Sequence, residues 1–227
     1  MHLRHLTLPT REFAAQRAFY TRTLGLSPCH EGPGTLSVQT GTSRLTLQHD
    51  DSTPGYLHLA WDIPAPQLDA AEAWLRARVP LLADEEGHTR FPPAEEWNTT
   101  SLYFEDPAGN ILEFVARHDQ RSPASGAFGP HSLRRLSELG LVVPDVARAA
   151  GQLEQHFGLR AFNGQSPTFT PVGGHDGMLI VVPEGRGWFP VRRPAVPAPF
   201  ALNFDHAGHT QVLTHQTLGA PAPGVTP

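Results

Sequence analysis

The sequence predicts an α+β protein made of repeated strand–helix–strands units. Three observations carry that prediction. An apolar strand pattern, a helix pattern and further short strands follow one another from Leu3, again from Tyr56, and a third time from Glu138. A helix-closing glycine keeps its distance from the strand that opens its unit: Gly25 lies 20 residues after His5, and Gly158 lies 20 after Glu138. Residues 102–114 (LYFEDPAGNILEF) hold two apolar runs joined by Asp106-Pro107-Ala108-Gly109-Asn110, the signature of a tight hairpin. Units of roughly 55 residues fall in the range where internal repeats are sought.

Taken in order, the first strand puts Leu6 and Leu8 on one face and Leu3, His5 and Thr7 on the other. Thr10 suits a helix cap, Glu12 the first turn, and Phe13, Arg17, Tyr20 and Leu24 keep helical spacing up to Gly25. Short strands over residues 35–39 and 44–49 join at Gly41. In the second unit, Tyr56, His58 and Ala60 share one strand face, and Leu57, Leu59 and Trp61 the other. Pro66 suits a first helical position, and Leu68, Ala71, Trp74, Leu75 and Arg78 continue a helix that Pro80 stops. The hairpin closes this unit. On its exit strand Ile111, Glu113 and Val115 alternate with Leu112, Phe114 and Ala116. Glu113 is thus a carboxylate fixed within an apolar strand.

Residues 117–136, rich in Pro, Gly, Ser and Arg, predict a linker at 119–136 after a two-unit domain at 1–118. Residues 137–227 then hold a third unit, a truncated fourth and a loose tail. The third opens on a strand at residues 138–143, caps a helix with Asp145 and closes it with Gly158; further strands follow at residues 168–171 and 178–182. Pro194, Pro197 and Pro199 interrupt the chain, residues 200–204 suit one more strand, and His206, His209 and His215 fall in the expected tail.

Composition narrows the function. Lys and Arg total 17 with a net charge of −5 and no basic run, so nucleic acid is not an expected partner. A single cysteine, Cys29, allows no intramolecular disulfide and suits a reducing cytoplasm. The opening MHLRHLTLP has no long apolar core, so neither a signal peptide nor a membrane association is expected.

His5-Leu6-Thr7-Leu8, Phe19-Tyr20 with Leu24-Gly25-Leu26, His58-Leu59-Ala60, and the run from Tyr103 through Asp106-Pro107-Ala108-Gly109-Asn110 to Glu113 resemble the vicinal oxygen chelate superfamily. That superfamily includes glyoxalases, extradiol dioxygenases, fosfomycin-modifying enzymes and bleomycin-resistance proteins. The resemblance covers residues 1–118 and continues more weakly through residues 141–145 and Phe157-Gly158-Leu159. It implies tandem βαβββ units forming a cupped mixed sheet with helices outside. It also implies a divalent metal at His5, His58 and Glu113, two imidazoles and a carboxylate that leave coordination sites open. Fe(II) is the favoured ion, with Mn, Ni or Zn as alternatives.

Such an ion binds vicinal oxygens of a small-molecule substrate and stabilises negative charge as a Lewis acid. Dioxygenation of an oxygenated or aromatic compound is the expected reaction, with a glyoxalase-type lyase or isomerase and a fosfomycin-type transferase as alternatives. Tyr103 stands where extradiol dioxygenases place a substrate-facing tyrosine. Their acid/base histidine has no counterpart in residues 94–98 (AEEWN), which leaves Glu96 or His88 to move protons. Glyoxalases take a fourth, acidic ligand where this chain has Thr46. Glu138 reads as a structural or edge charge, because no acid closes its own unit. A metal-free binding protein would instead need an aromatic cleft, for which Trp61, Trp97, Trp188 and Phe189 are available. The half-built third unit leaves a sheet edge to be covered within the chain or across a homodimer, with Gly187-Trp188-Phe189-Pro190 as the expected junction.

Overall fold

The computed structural model describes residues 1–52, 55–92, 97–121 and 123–218. The first unit comprises β1 (His2–Thr10), α1 (Phe13–Ala18, continued by a π-type turn over Phe19–Thr23), β2 (Pro28–Gly32), β3 (Thr35–Thr40) and β4 (Ser43–His49). The second comprises β5 (His58–Ile63), α2 (Leu68–Arg76), β6 (Thr99–Glu105) and β7 (Ile111–Arg117). The third holds β8 (Arg135–Val143), α3 (Val146–Phe157), β9 (Thr170–Gly174) and β10 (Gly177–Pro183). A short hairpin of β11 (Gly187–Trp188) and β12 (Arg193–Pro194) leads to β13 (Ala201–His206) and β14 (His209–Thr214), which stand as a partial fourth unit among the described residues.

The strands form two cupped, six-stranded mixed sheets. Their orders are β14-β13-β1-β4-β3-β2 and β6-β7-β5-β8-β10-β9. The first unit therefore pairs with the fourth, and the second with the third. This departs from the expected two-unit grouping of residues 1–118: β1 and β5, the two opening strands, lie in different sheets. Within the second sheet β5 and β8 run antiparallel at the centre, each flanked by a parallel partner, β7 and β10.

Local chemistry explains most elements. Leu59 and Trp61 on β5, Leu57 just before it, and Leu112, Phe114 and Ala116 on β7 enter one core that also takes residues from the first sheet and from the helices. Asp145 caps α3 by accepting a hydrogen bond from the Arg148 backbone N–H at 2.9 Å, and Gly158 ends it in the left-handed region at φ 69°. The hairpin turn is built around buried Asp106. Its Oδ1 accepts from the backbone N–H groups of Ala108 and Asn110, and its Oδ2 from the Asn110 amide and the Tyr20 hydroxyl. One carboxylate thus ties the second unit's turn to the first unit's helical segment.

The differences from sequence expectation also have physical causes. A bulge between Leu3 and His5 shifts the β1 register, so Leu3 joins Leu6 and Leu8 in the core rather than sharing a face with His5. Thr10 ends β1; its hydroxyl accepts from the Glu12 N–H, but the helix starts later, at Phe13. The segment expected as a linker is packed: Phe128, Ser132 and Leu133 are buried. The expected tail is structured as far as residue 218, since β13–β14 pair against β1 and Leu218 packs into the core. The residues beyond 218 lie outside the described ones. Among the described residues, no helix is long and apolar enough to cross a membrane.

Candidate metal centre

Three buried side chains converge on the concave face of the second sheet. His58 is the first residue of β5, Glu113 the third of β7, and Glu138 the fourth of β8. His58 Nε2 stands 3.4 Å from Glu113 Oε2 and 4.0 Å from Glu138 Oε2. One donor atom from each residue falls within 4.8 Å of the other two, a spacing at which a single ion can reach all three. No other cluster of three or more histidine, cysteine or acidic donors occurs among the described residues. His58 Nδ1 has no hydrogen-bond partner, so the imidazole is oriented by its Nε2 contacts and by the Trp188 ring, 5.2 Å away between centroids. Gly140 makes room for that tilted ring contact: a Cβ there would meet the Trp188 ring at 2.8 Å and His58 Cβ at 3.0 Å.

The two carboxylates are held in opposite electrostatic states. Burial, then the negative charge of Glu138, pushes Glu113 up to about 7, and the opposing pulls of His58, Ser101 and Arg117 do not cancel this. Burial acts on Glu138 in the same direction, but the neighbouring His58 imidazole and the Arg117 charge outweigh it and hold Glu138 below the ordinary carboxylate value. Arg117 is the supporting residue. Its Nη2 donates to Glu138 at 2.5 Å and its Nε to Asp62 at 3.0 Å. Arg135 in turn donates to the other Asp62 oxygen at 2.6 Å. Burial opposes the Arg117 charge, yet Glu138 and Asp62 raise its pKa above the usual value, so it stays cationic.

A pH dependence follows. Unfolded Glu113 releases its proton near 4.5, whereas the folded residue holds it to about 7. Between those values the native state binds a proton that the unfolded state has lost. Stability of the metal-free protein is therefore expected to fall as pH rises from 5 to 8, by on the order of 3 kcal/mol. Glu113→Gln should flatten that loss, read by denaturant unfolding at each pH. Metal binding displaces the proton, so affinity should drop about tenfold per pH unit below 7.

The triad forms part of the wall of a cavity of about 330 Å³. Phe91, Trp97, Phe169, Trp188 and Phe189 supply aromatic surface, and Tyr103 and Arg186 supply polar groups. Tyr103 faces Glu113 across the β6–β7 ladder and lines the same cavity. Burial, then the charges of Glu113 and Glu138, raises the phenol well above its ordinary value, so Tyr103 is a proton donor in hydrogen bonds and not a base.

Residues 2–114 match the model of the Glyoxalase/Bleomycin resistance protein/Dioxygenase superfamily. The chain belongs to that superfamily. Its fold also resembles the solved structure of a “putative dioxygenase” from Bacillus subtilis, at 19% identity and a TM-score of 0.59, covering 80% of this chain. The chain spans 63% of that protein's length. A glyoxalase I mutant (V278E) from Zea mays matches at 15% identity and a TM-score of 0.56, over 89% of this chain and 75% of its own. No curated protein sequence matches.

Within the superfamily fold, the donor positions follow a simple rule. Glu113 pairs with Ala60, two residues past His58. The residue two past Glu138 is Gly140, and it pairs with Ile180. Ile180, also in the cavity wall, thus stands where a fourth ligand would close the coordination sphere. The same rule applied to His5 leads through Thr7 to Thr46, and His5 Nε2 lies 2.8 Å from Thr46 Oγ1. Thr46 therefore occupies the acid position of the first unit, as expected, and that unit's site is a hydrogen-bonded His5–Thr46–Ser37 chain.

The expected site residues separate accordingly. His58 and Glu113 come together, and Tyr103 lines the same cavity. His5 does not join them, because β1 is paired with β4 and β13 in the other sheet. Glu138 takes its place. It is neither an edge charge nor a surface one, since β8 is central and its side chain is buried. His88 sits on an exposed turn, 3.2 Å from Asp84, outside the cavity wall. Glu96 lies outside the described residues. Of the aromatics named for a cleft, Trp97, Trp188 and Phe189 line the cavity, whereas Trp61 is in the core and donates to Thr40 at 3.2 Å. Trp188, expected at a junction, packs on His58.

Proposed function

We propose that this protein is a metal-dependent enzyme that holds one divalent ion at His58, Glu113 and Glu138 and acts on an oxygenated aromatic small molecule, with dioxygenation the leading reaction. The observation that carries this reading is the convergence of three buried donors on one side of an aromatic cavity, with apolar Ile180 in the fourth-ligand position. One imidazole and two carboxylates are a harder donor set than the two imidazoles and one carboxylate expected from sequence. That favours Fe(II) or Mn(II) over softer ions. When bound, the ion supplies Lewis acidity toward paired substrate oxygens. Arg117 holds Glu138 ionised for ligation, the aromatic walls exclude water and position a planar ring, and Tyr103 offers a hydrogen bond beside the ligands.

A glyoxalase-type isomerase is the second reading, favoured by the pair of carboxylates at the centre: with Glu113 and Glu138 side by side, one can keep the ion while the other exchanges a proton with a substrate. The deciding experiment loads the protein with Fe(II) or Mn(II) and measures oxygen uptake with catechols, alongside isomerisation of 2-oxo aldehyde–thiol adducts. Oxygen uptake is the expected result. Adduct isomerisation without oxygen uptake would establish the second reading. No metal under any loading, with tight binding of aromatic compounds, would favour a metal-free binding protein.

A further inference from the structure

Arg186 has a role that neither metal binding nor packing requires. It follows β10, lines the aromatic cavity and is half-buried. Its guanidinium lies 5.0 Å from the Phe169 ring centre and 5.9 Å from that of Trp188. Among the described residues its one side-chain hydrogen bond goes from Nη1 to the neighbouring Gly187 carbonyl at 3.2 Å. Among the described residues no acid lies within ion-pair distance of it. The acids on the Asp84–Glu86 turn, which share an outer groove with it, have other partners: Glu85 pairs with Arg192, and Asp84 and Glu86 with His88. A guanidinium carries five donors and is costly to bury without an anion. Burial also lowers its pKa.

We propose that Arg186 binds an anionic group of the substrate, and that the substrate is an aromatic carboxylate whose other end meets the His58–Glu113–Glu138 centre. The assignment rests on reading this cavity as the substrate site. Trp188 sets the span. The guanidinium is 5.9 Å and the His58 ring 5.2 Å from the Trp188 ring centre, so they lie within about 11 Å of each other. That ceiling admits no more than a single ring between oxygens at one end and a carboxylate at the other. Arginine's planar fork matches a carboxylate through two parallel hydrogen bonds, and Phe169 and Trp188 hold that fork facing the cavity rather than sweeping through solvent.

The test uses Zn(II)-loaded protein, which binds without turnover, and tryptophan fluorescence to follow binding. The probes are 3,4-dihydroxybenzoate and 4-methylcatechol, which differ in charge at the position opposite the vicinal oxygens. The carboxylate is expected to bind at least about tenfold more tightly, and Arg186→Gln to remove that preference while leaving 4-methylcatechol affinity within about twofold. Arg186→Met, which keeps the apolar stem on Phe169 and Trp188, is the second variant should the first fail to fold. Equal affinity for both probes in the parent protein, or a preference that survives in both variants, would overturn the proposal. Benzoate against benzamide on metal-free protein separates the two readings. A preference for benzoate that depends on Arg186 stands even if no metal binds, whereas bound metal without any carboxylate preference removes this inference alone.

Discussion

His58→Ala is expected to weaken binding of a divalent ion by at least about 100-fold, because it removes the only imidazole of a three-donor set. His5→Ala, by contrast, should leave metal affinity within about twofold. The two histidines open equivalent strands and are hard to tell apart by sequence, so the pair is a sharp comparison. His5 is hydrogen-bonded to Thr46 in the other sheet, and among the described residues it belongs to no cluster of metal-ligating donors. Titration of each metal-free variant with Mn(II) or Zn(II), monitored by calorimetry, reads the difference directly. Similar losses in both variants would show that the ion bridges the sheets and that the pairing of units is wrong.

The second large effect is on stability. Arg117 is buried between Glu138 and Asp62, and Arg117→Met leaves Glu138 without its cation. Breaking a buried ion pair from one side costs about 3–5 kcal/mol. For a chain of this size that lowers the melting temperature by on the order of 10 °C. Asp62 keeps Arg135, so the loss should centre on Glu138. Adding Glu138→Gln to Arg117→Met should recover part of the lost stability, since no bare carboxylate remains. Divalent metal should do the same for the single variant, as the ion replaces the missing positive charge. Additive destabilisation in the double variant would show that Arg117 acts through packing alone.

Much of this was legible along the chain. Alternation on β5 and β7 is local, so the sequence alone sorts His58 and Glu113 from their core-facing neighbours Leu57, Leu59, Leu112 and Phe114. Asp145 and Gly158 mark the ends of α3 by the same kind of short-range chemistry. Which opening strands share a sheet is different: β1 and β5 carry no local feature that selects β13 or β8 as partner. The edge reading of Glu138 fails for that reason, whereas its buried pairing with Arg117 fits the structural one. Sought against a closing acid in its own unit, it has only Ile180; across the β5–β8 ladder it meets the second unit's His58 and Glu113. The register that aligns Glu138 with His5 was the available signal. Strand β2 escaped notice because its residues are mostly exposed and show no alternation, and β14 buries only Leu213.

The most direct test is anomalous diffraction from crystals grown with Mn(II). A single strong peak within coordination distance of His58, Glu113 and Glu138 is the predicted result. A peak beside His5 and Thr46, or none at saturating Mn(II), would contradict the metal centre described above.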